Sequence, residues 1–530
     1  MSFRWVSLLT QGFFVVRKMQ LLSLKNLSLL AIVFTVGFPI SGGIQVAKSY
    51  NIAAGFPGSV TRERETSFPG IYPSEQTDPQ GWIYYTQSGD TLQAVAAHFQ
   101  VRQADIVVRQ TVTGDQLLDP GLLLIIPRPV KTSPSIEHIL PDSEVVYSPS
   151  VEGFDTLDYV SQAGGYLSTY HEYMRSTGPT SAAEIVERVA LENSINPRLL
   201  LALLEYQCRC VSGSLEVGVN PDFLMGVNDP LRKGLYRQLG WVVNQLSLGY
   251  YGWRRGLLTD LVFAEGSPVE LAPDLNAGSV SLAYLFSRLH SRVDWDTAMN
   301  TREGFSALYQ HMFTVRSVKA QKPEPLFPPG LAQPDMILPF QPGDEWGFTS
   351  GPHNAWETEA ALAALDFAPA SDKYGCLRSD AWVVAVADGL VVRSEHGAVV
   401  LDLDGDGFEG SGWAMLYMHL ESRGRVDQGA YLRRGDPVGH PSCEGGPADG
   451  THVHIARKYN GEWIAADGPL PFEMSGWVAH AGYRPFEGSL IRGPQIVVAN
   501  SLSPAGAFIN RSIEELMMYT ENPHERLLEE

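Results

Sequence analysis

A multidomain α+β protein is the fold class this sequence predicts, and three observations predict it. At 530 residues the chain is too long for one hydrophobic core. Apolar residues recur at three- and four-residue steps between 156 and 316, the period of helices packed on one face. Beyond 343 the pattern changes to short β-branched runs separated by Gly-rich turns, which predicts a mostly antiparallel-β unit. Apolar content of 44% and charge of 18% are ordinary for globular domains. A formal net charge of −20 argues against nucleic acid as a partner, and against simple electrostatic adhesion to an anionic envelope.

Residues 1–47 read as a targeting segment. Arg4, Arg17, Lys18 and Lys25 precede an uncharged stretch, Asn26 to Ala47, whose apolar heart is Leu27–Ile40. A basic flank before an apolar run is an export signal, and this run is long enough to span a bilayer. A cleaved signal peptide and an uncleaved membrane anchor therefore both stand, with Pro39, Gly42 and Gly43 marking a cleavage region in the first case. Either route puts the rest of the chain outside the cytoplasm, with membrane contact only through this segment. Residues 48–81 are rich in Gly, Pro, Ser and charge and read as a linker.

Residues 82–129 form a small module. Ser88-Gly89-Asp90-Thr91-Leu92 leads into a helical spacing of Leu92, Val95, Ala96 and Phe99, and Leu124-Ile125-Ile126-Pro127 closes the unit as a strand. These two signatures resemble the lysin motif. That resemblance implies a βααβ fold and binding of N-acetylglucosamine-containing glycans. Arg109-Gln110 stand where that family usually carries Asn, which leaves glycan affinity less supported than the fold.

Residues 130–155 read as a second linker, rich in Pro and Ser. The helical middle, 156–316, includes Asn196-Pro197, a cap and first-turn proline. Ile195–Leu204 and Leu275–Gly278 resemble lysozyme-like transglycosylases. Gln207-Cys208 stand where that family needs its acid, and Glu205 lies about 200° away on a helix. Gln cannot protonate a leaving oxygen, so this part reads as a degenerate, non-catalytic lysozyme-like domain. Tyr250, Tyr251 and Trp253 would suit a sugar groove, but core packing is their simpler use.

A Pro-rich linker, 317–342, leads into the strand-rich unit 343–498. An acidic tail follows, 499–530, with a helical stretch at Ser512–Tyr519. In Thr451-His452-Val453-His454-Ile455 strand alternation turns both imidazoles to one face and Val453 and Ile455 to the core. Paired imidazoles suit a transition metal, zinc above all. Gly351-Pro352-His353, Leu365-Asp366-Phe367 and Tyr417-Met418-His419-Leu420 offer further ligands upstream. Around them lie Ala387-Asp388-Gly389 between strands and Arg434–Gly439 before the His-x-His run.

Together these motifs, from about His353 to Trp463, resemble the lysostaphin/LytM family of zinc endopeptidases, which cut peptide links of bacterial cell walls. The resemblance implies one zinc held by His353, Asp366 and His454, with His419 and His452 as catalytic groups. It also implies a peptidoglycan substrate and a secreted or wall-associated enzyme. The family spaces its first His and Asp four apart, whereas Asp366 stands thirteen after His353. Asn354–Ala364 then form an inserted loop, and Glu357 is the alternative ligand. His396 and His440 match no motif position and read as surface or core residues. Asp402, Asp404 and Asp406 with Gly407 resemble a calcium loop, but Trp413 replaces its last carboxylate. An Asp-Gly hairpin turn is the simpler reading. Cys376 and Cys443 flank the candidate site and form the favoured disulfide. Cys208 and Cys210 are too close in sequence for an unstrained bridge and stay open.

Overall fold

The structure is a computed structural model that describes residues 81–112, 115–127, 138–313, 324–356, 361–371, 375–502 and 506–512. The targeting segment, Glu357 and the helical stretch expected within 513–519 lie outside these residues.

The small module begins with β1 (Gly81–Tyr85) and α1 (Leu92–His98), whose N-terminus is capped by the Thr91 hydroxyl accepting from Ala94 N. A short β2 (Val107–Val108) and β3 (Leu123–Pro127) complete a three-stranded sheet of order β1-β3-β2. Its core is Val95, Phe99, Leu124 and Ile126. Where the lysin-motif resemblance implies a second helix, the chain makes one 3-10 turn at Gln103–Asp105. Arg102 before that turn makes no capping bond, and Ile106 after it is already extended.

Residues 138–155, expected as a linker, are instead part of the helical core. Two 3-10 turns, Asp142–Glu144 and Pro149–Val151, bury Ile139, Leu140, Val145, Val146 and Val151. Their polar groups are bonded internally: Asp142 accepts from Gly278 N and from the Asn276 amide, and Arg198 donates to Glu144 and to the Ser150 carbonyl. A Pro/Ser composition therefore marks irregular backbone here, not an unpacked spacer.

Next come α2 (Thr156–Ala163), a hairpin of β4 (His171–Met174) and β5 (Gly178–Ser181), α3 (Ala182–Asn193), α4 (Pro197–Cys208) and α5 (Leu235–Arg254). A second hairpin, β6 (Asp260–Val262) and β7 (Pro268–Glu270), precedes α6 (Ala277–Leu289), α7 (Arg292–Ala298) and α8 (Phe305–Phe313). Ser181 and Glu184 form a reciprocal capping box that starts α3. Gly249 lets α5 and α6 approach closely, since a Cβ there would lie 2.8 Å from Ser281 Cα. Tyr250, Tyr251 and Trp253 are buried, so they pack the core and line no sugar groove. The Glu205 carboxylate accepts from Val211 N, Ser212 N and the Ser212 hydroxyl, closing the loop after α4. Cys208 and Cys210 are bonded to each other, and Cys376 is bonded to Cys443.

The C-terminal strands are β8 (Glu345–His353), β9 (Ala364–Pro369), β10 (Val383–Val384), β11 (Gly389–Glu395), β12 (Ala398–Asp402), β13 (Trp413–Met418), β14 (Tyr431–Leu432), β15 (Pro437–Gly439) and β16 (Val453–Tyr459). They are followed by β17 (Glu462–Trp463), β18 (Glu473–Met474), β19 (Trp477–Ala481), β20 (Gly488–Arg492), β21 (Gln495–Val498) and β22 (Phe508–Asn510). The main antiparallel sheet runs β14-β11-β12-β13-β16-β9-β8-β22, with β17 paired to β16, and β18 to β21 form a separate meander. Two sequence boundaries shift. β22 closes the edge of the sheet against β8, so the expected tail from 499 contributes a strand. Within the expected linker, Leu326 and Phe327 pack into the helical core and Leu338 and Phe340 into the sheet.

Alternation along the central strands feeds two cores. Val399, Leu401, Met415, Tyr417, Val453 and Ile455 face an aromatic core with Phe340, Trp346, Phe348 and Phe367. Ala398, Val400, Ala414, Leu416 and Ala456 face the helices and join their core. The helical part thus covers the sheet face that carries His454.

Candidate metal centre

His454 lies near the start of β16, directly across from Asp366 on β9 and Met418 on β13. Its neighbours Val453 and Ile455 point the other way and are fully buried. Strand pairing also brings Asp366, thirteen positions after His353, back beside the strand that bears it. β8 and β9 are antiparallel partners, with two register irregularities between Phe348 and His353.

Three donor atoms meet. His353 Nε2 is 3.0 Å from His454 Nδ1 and 3.3 Å from Asp366 Oδ1, and His454 Nδ1 is 3.1 Å from the same oxygen. All three residues are buried. The tautomers are set by backbone carbonyls: His353 Nδ1 bonds Gly351 O at 2.9 Å and His454 Nε2 bonds Ala355 O at 3.0 Å. The nitrogens facing each other are therefore the unprotonated ones, and lone pairs converge on a carboxylate oxygen. Asp366 Oδ1 is enclosed and receives no hydrogen bond. Such a triangle is favourable around a bound cation. Two imidazoles and one carboxylate are the donors of a three-ligand catalytic zinc site, and ligands about 2.0–2.1 Å from a tetrahedral ion lie about 3.3 Å apart. The residues fit that group.

The charge balance agrees. Burial alone would raise the Asp366 carboxyl, but the His353 imidazole beside it, with His452 and His454, holds it well below the usual carboxylate range. Burial opposes protonation of His353, yet Asp366 overrides this and raises it. Burial lowers His454.

The two remaining histidines sit on the rim of the triangle. His419, in a left-handed conformation just after β13, bonds Glu444 O through Nδ1 at 2.8 Å. His452 bonds Gly450 O in the same way at 2.8 Å. Both keep Nε2 toward the site, with His452 Nε2 3.8 Å from Asp366 Oδ2 and the two rings 4.4 Å apart. Burial, with His452 and His454 nearby, pushes His419 down to about 3.

A cavity of about 1300 Å³ opens over these groups. Its far wall comes from the helical part, with Ser176, Arg188, Glu192 and Tyr236, and its near rim includes Arg425 and Phe486. None of these was legible in the sequence, because each lies far along the chain from the histidine motifs and has no fixed spacing to them. His396 also lines the cavity, whereas His440 bonds Ala381 O and packs on Trp382 away from the triangle.

Asp402, Asp404 and Asp406 also bring carboxylates together, but Asp402 is buried and accepts from Gly405 N and Gly407 N. It shapes the turn between β12 and β13. Trp413 at the twelfth position is buried, so no further carboxylate arrives there and the calcium alternative gains no support.

Residues 138–325 match the family model of the LasA N-terminal domain. The chain is also similar to Protease LasA of Pseudomonas aeruginosa, 25% identical over 359 residues, covering 63% of this chain and 77% of that protein, in each of two strains. Among solved structures it resembles the M23 metalloprotease pseudoalterin from the deep sea. The identity is 22%, with 32% of this chain and 96% of that one covered, at a TM-score of 0.27. It also resembles the catalytic domain of the antimicrobial peptidase lysostaphin from Staphylococcus simulans, at 20% identity and a TM-score of 0.16, over 24% of this chain and 86% of that one. No described helix is long and apolar enough to cross a membrane.

Proposed function

We propose that this chain is an exported zinc metalloendopeptidase that hydrolyses peptide bonds of bacterial peptidoglycan, in stem peptides or cross-bridges. The observation that carries the reading is the buried triangle of His353, Asp366 and His454 with two further imidazoles on its rim. Similarity to Protease LasA supports the peptidase class, and the motif resemblance to the lysostaphin/LytM family supports the wall substrate. The lysin-motif-like module is proposed to bring the enzyme to glycan.

His353, Asp366 and His454 would hold the zinc, which when bound would supply Lewis acidity and an acidified water. The remaining steps fall to the protein. His419 and His452 each present a free Nε2 to the cavity, fixed in direction by a carbonyl behind the ring. One of them would orient the water and take its proton at Nε2, and that proton would pass, directly or through the other imidazole, to the leaving amine. The cavity between sheet and helices lies over both histidines and is where the peptide would bind.

The test is zinc content and peptidoglycan digestion by the full chain, wild type beside His454→Ala. The expected result is about one zinc per chain and chelator-sensitive release of new amino groups, both lost in the variant. A folded wild type that takes up no zinc and releases no amino groups overturns the reading.

A further inference from the structure

One element at the cavity rim has no counterpart in the motifs. The turn between β19 and β20 carries Phe486, a bulky residue at φ +73°, a conformation that L side chains rarely adopt. The turn is fastened to the strand end that bears His353. Gly351 N donates to Phe486 O at 2.8 Å, and Phe486 N donates to Pro352 O at 3.2 Å. The approach is so close that a Cβ on Gly351 would lie 2.5 Å from Glu487 O. The strained backbone delivers the Phe486 ring onto the His353 imidazole, with centroids 4.6 Å apart and planes 26° from parallel. The ring is nonetheless 54% exposed and lines the cavity. A large apolar side chain held in a costly conformation, stacked on one side and open on the other, is poorly accounted for by core packing.

We propose that Phe486 is a positioning residue with two faces: the inner one fixes the plane of the His353 imidazole for metal binding, and the outer one is an apolar wall on which substrate packs beside the bond to be cut. The inner role follows from geometry. The Gly351 carbonyl holds Nδ1 of the His353 ring, and the Phe486 ring stacked on its face restrains the plane further. The outer role rests on the peptidase reading above. The apolar surface suits an uncharged peptide segment better than a charged one.

The experiment compares full-length wild type with Phe486→Ala, Phe486→Gly and Phe486→Tyr. It reads zinc affinity by competition with a chromogenic chelator, and kcat and KM on a peptide that the wild type cleaves. Loss of the ring is expected to weaken zinc about 10-fold, toward the low end of the range for groups that orient a ligand, and to raise KM more than it lowers kcat. Phe486→Tyr restores both. Phe486→Gly relieves the left-handed backbone and still shows both losses, which separates the ring from the strain. Folded Ala and Gly variants that match wild type in zinc affinity and KM, in an enzyme that binds zinc and cleaves peptide, overturn this inference alone. A wild type that binds no zinc overturns the peptidase reading and this inference with it.

Discussion

His353 and His419 show how one residue type is given different work by its surroundings. His353 meets the Asp366 carboxylate and is raised, whereas His419 is buried beside two other imidazoles and falls to about 3. His419 is therefore neutral across the physiological range, with its Nδ1 on the Glu444 carbonyl and Nε2 toward the site. Its replacement by Ala should leave zinc content near one per chain and lower kcat by about 10²–10⁴-fold, the scale of a lost general acid or base. Metal analysis and steady-state kinetics on the same preparation check this; zinc lost in step with activity would instead make His419 a ligand. Asp366→Ala should abolish stoichiometric zinc, because it removes the only carboxylate of the triangle. Glu357→Ala, at the alternative position, should leave zinc content unchanged. Much of this site could be read from the sequence, since alternation around Val453 and Ile455 fixes which way His454 points. The carbonyls of Gly351, Ala355, Glu444 and Gly450 that set the tautomers could not be read, because every residue carries a carbonyl and only the fold selects which one meets a ring.

At the scale of elements, the central strands hold a buried charge cluster that no periodicity announces. Arg393 on β11 donates twice to Glu409, at 2.9 and 3.1 Å, and Lys458 on β16 donates to the same carboxylate at 2.8 Å. Burial alone would raise Glu409, but Arg393 and then Lys458 hold it down at about 2. Its unfolded value is near 4.3. The folded state therefore gains from ionised Glu409 in full above about pH 4.5, and loses that gain as pH falls toward 2, an effect of about 3 kcal/mol. Denaturant unfolding measured from pH 6 to pH 2 should show this loss, and Glu409→Gln should flatten it while lowering stability at pH 6. A variant with an unchanged acid limb would show that the cluster does not control it. The strands themselves were legible as β-branched runs between Gly-rich turns. The 3-10 turns at 142–144 and 149–151 were not, because their Pro and Ser content is also that of an unpacked linker, and only long-range partners such as Gly278 and Arg198 distinguish the two.

Among the described residues, the parts of the molecule meet at the β16–β17 hairpin, whose tip enters the helical part. Gly461 at that tip has φ +78°, and a Cβ there would lie 2.2 Å from Tyr147 O, so no other residue fits without moving the two parts apart. Beside it Glu462 accepts from Tyr250 at 2.6 Å and from Arg254 at 2.9 and 3.0 Å. Arg254 also pairs with Asp142 at 2.9 Å and bonds the Ser88 carbonyl of the small module. One guanidinium thus links the small module, the reclaimed 138–155 segment, the long helix α5 and the sheet. Trp463 N bonds the Tyr251 hydroxyl, and the sheet's Ala398, Val400, Leu416 and Ala456 share a core with the helices. Parts joined by a shared core and a buried ion network should not unfold separately. Glu462→Ala leaves Arg254 with half of its carboxylate partners and strips the acceptor from Tyr250, and breaking a buried pair in this way costs about 3–5 kcal/mol. Helical circular dichroism and tryptophan fluorescence should then shift together to lower denaturant in a single transition. Two transitions of which only one moves would mean that the helices and the sheet are independent units, and that the cavity wall carrying Arg188 and Tyr236 is not a fixed part of the site.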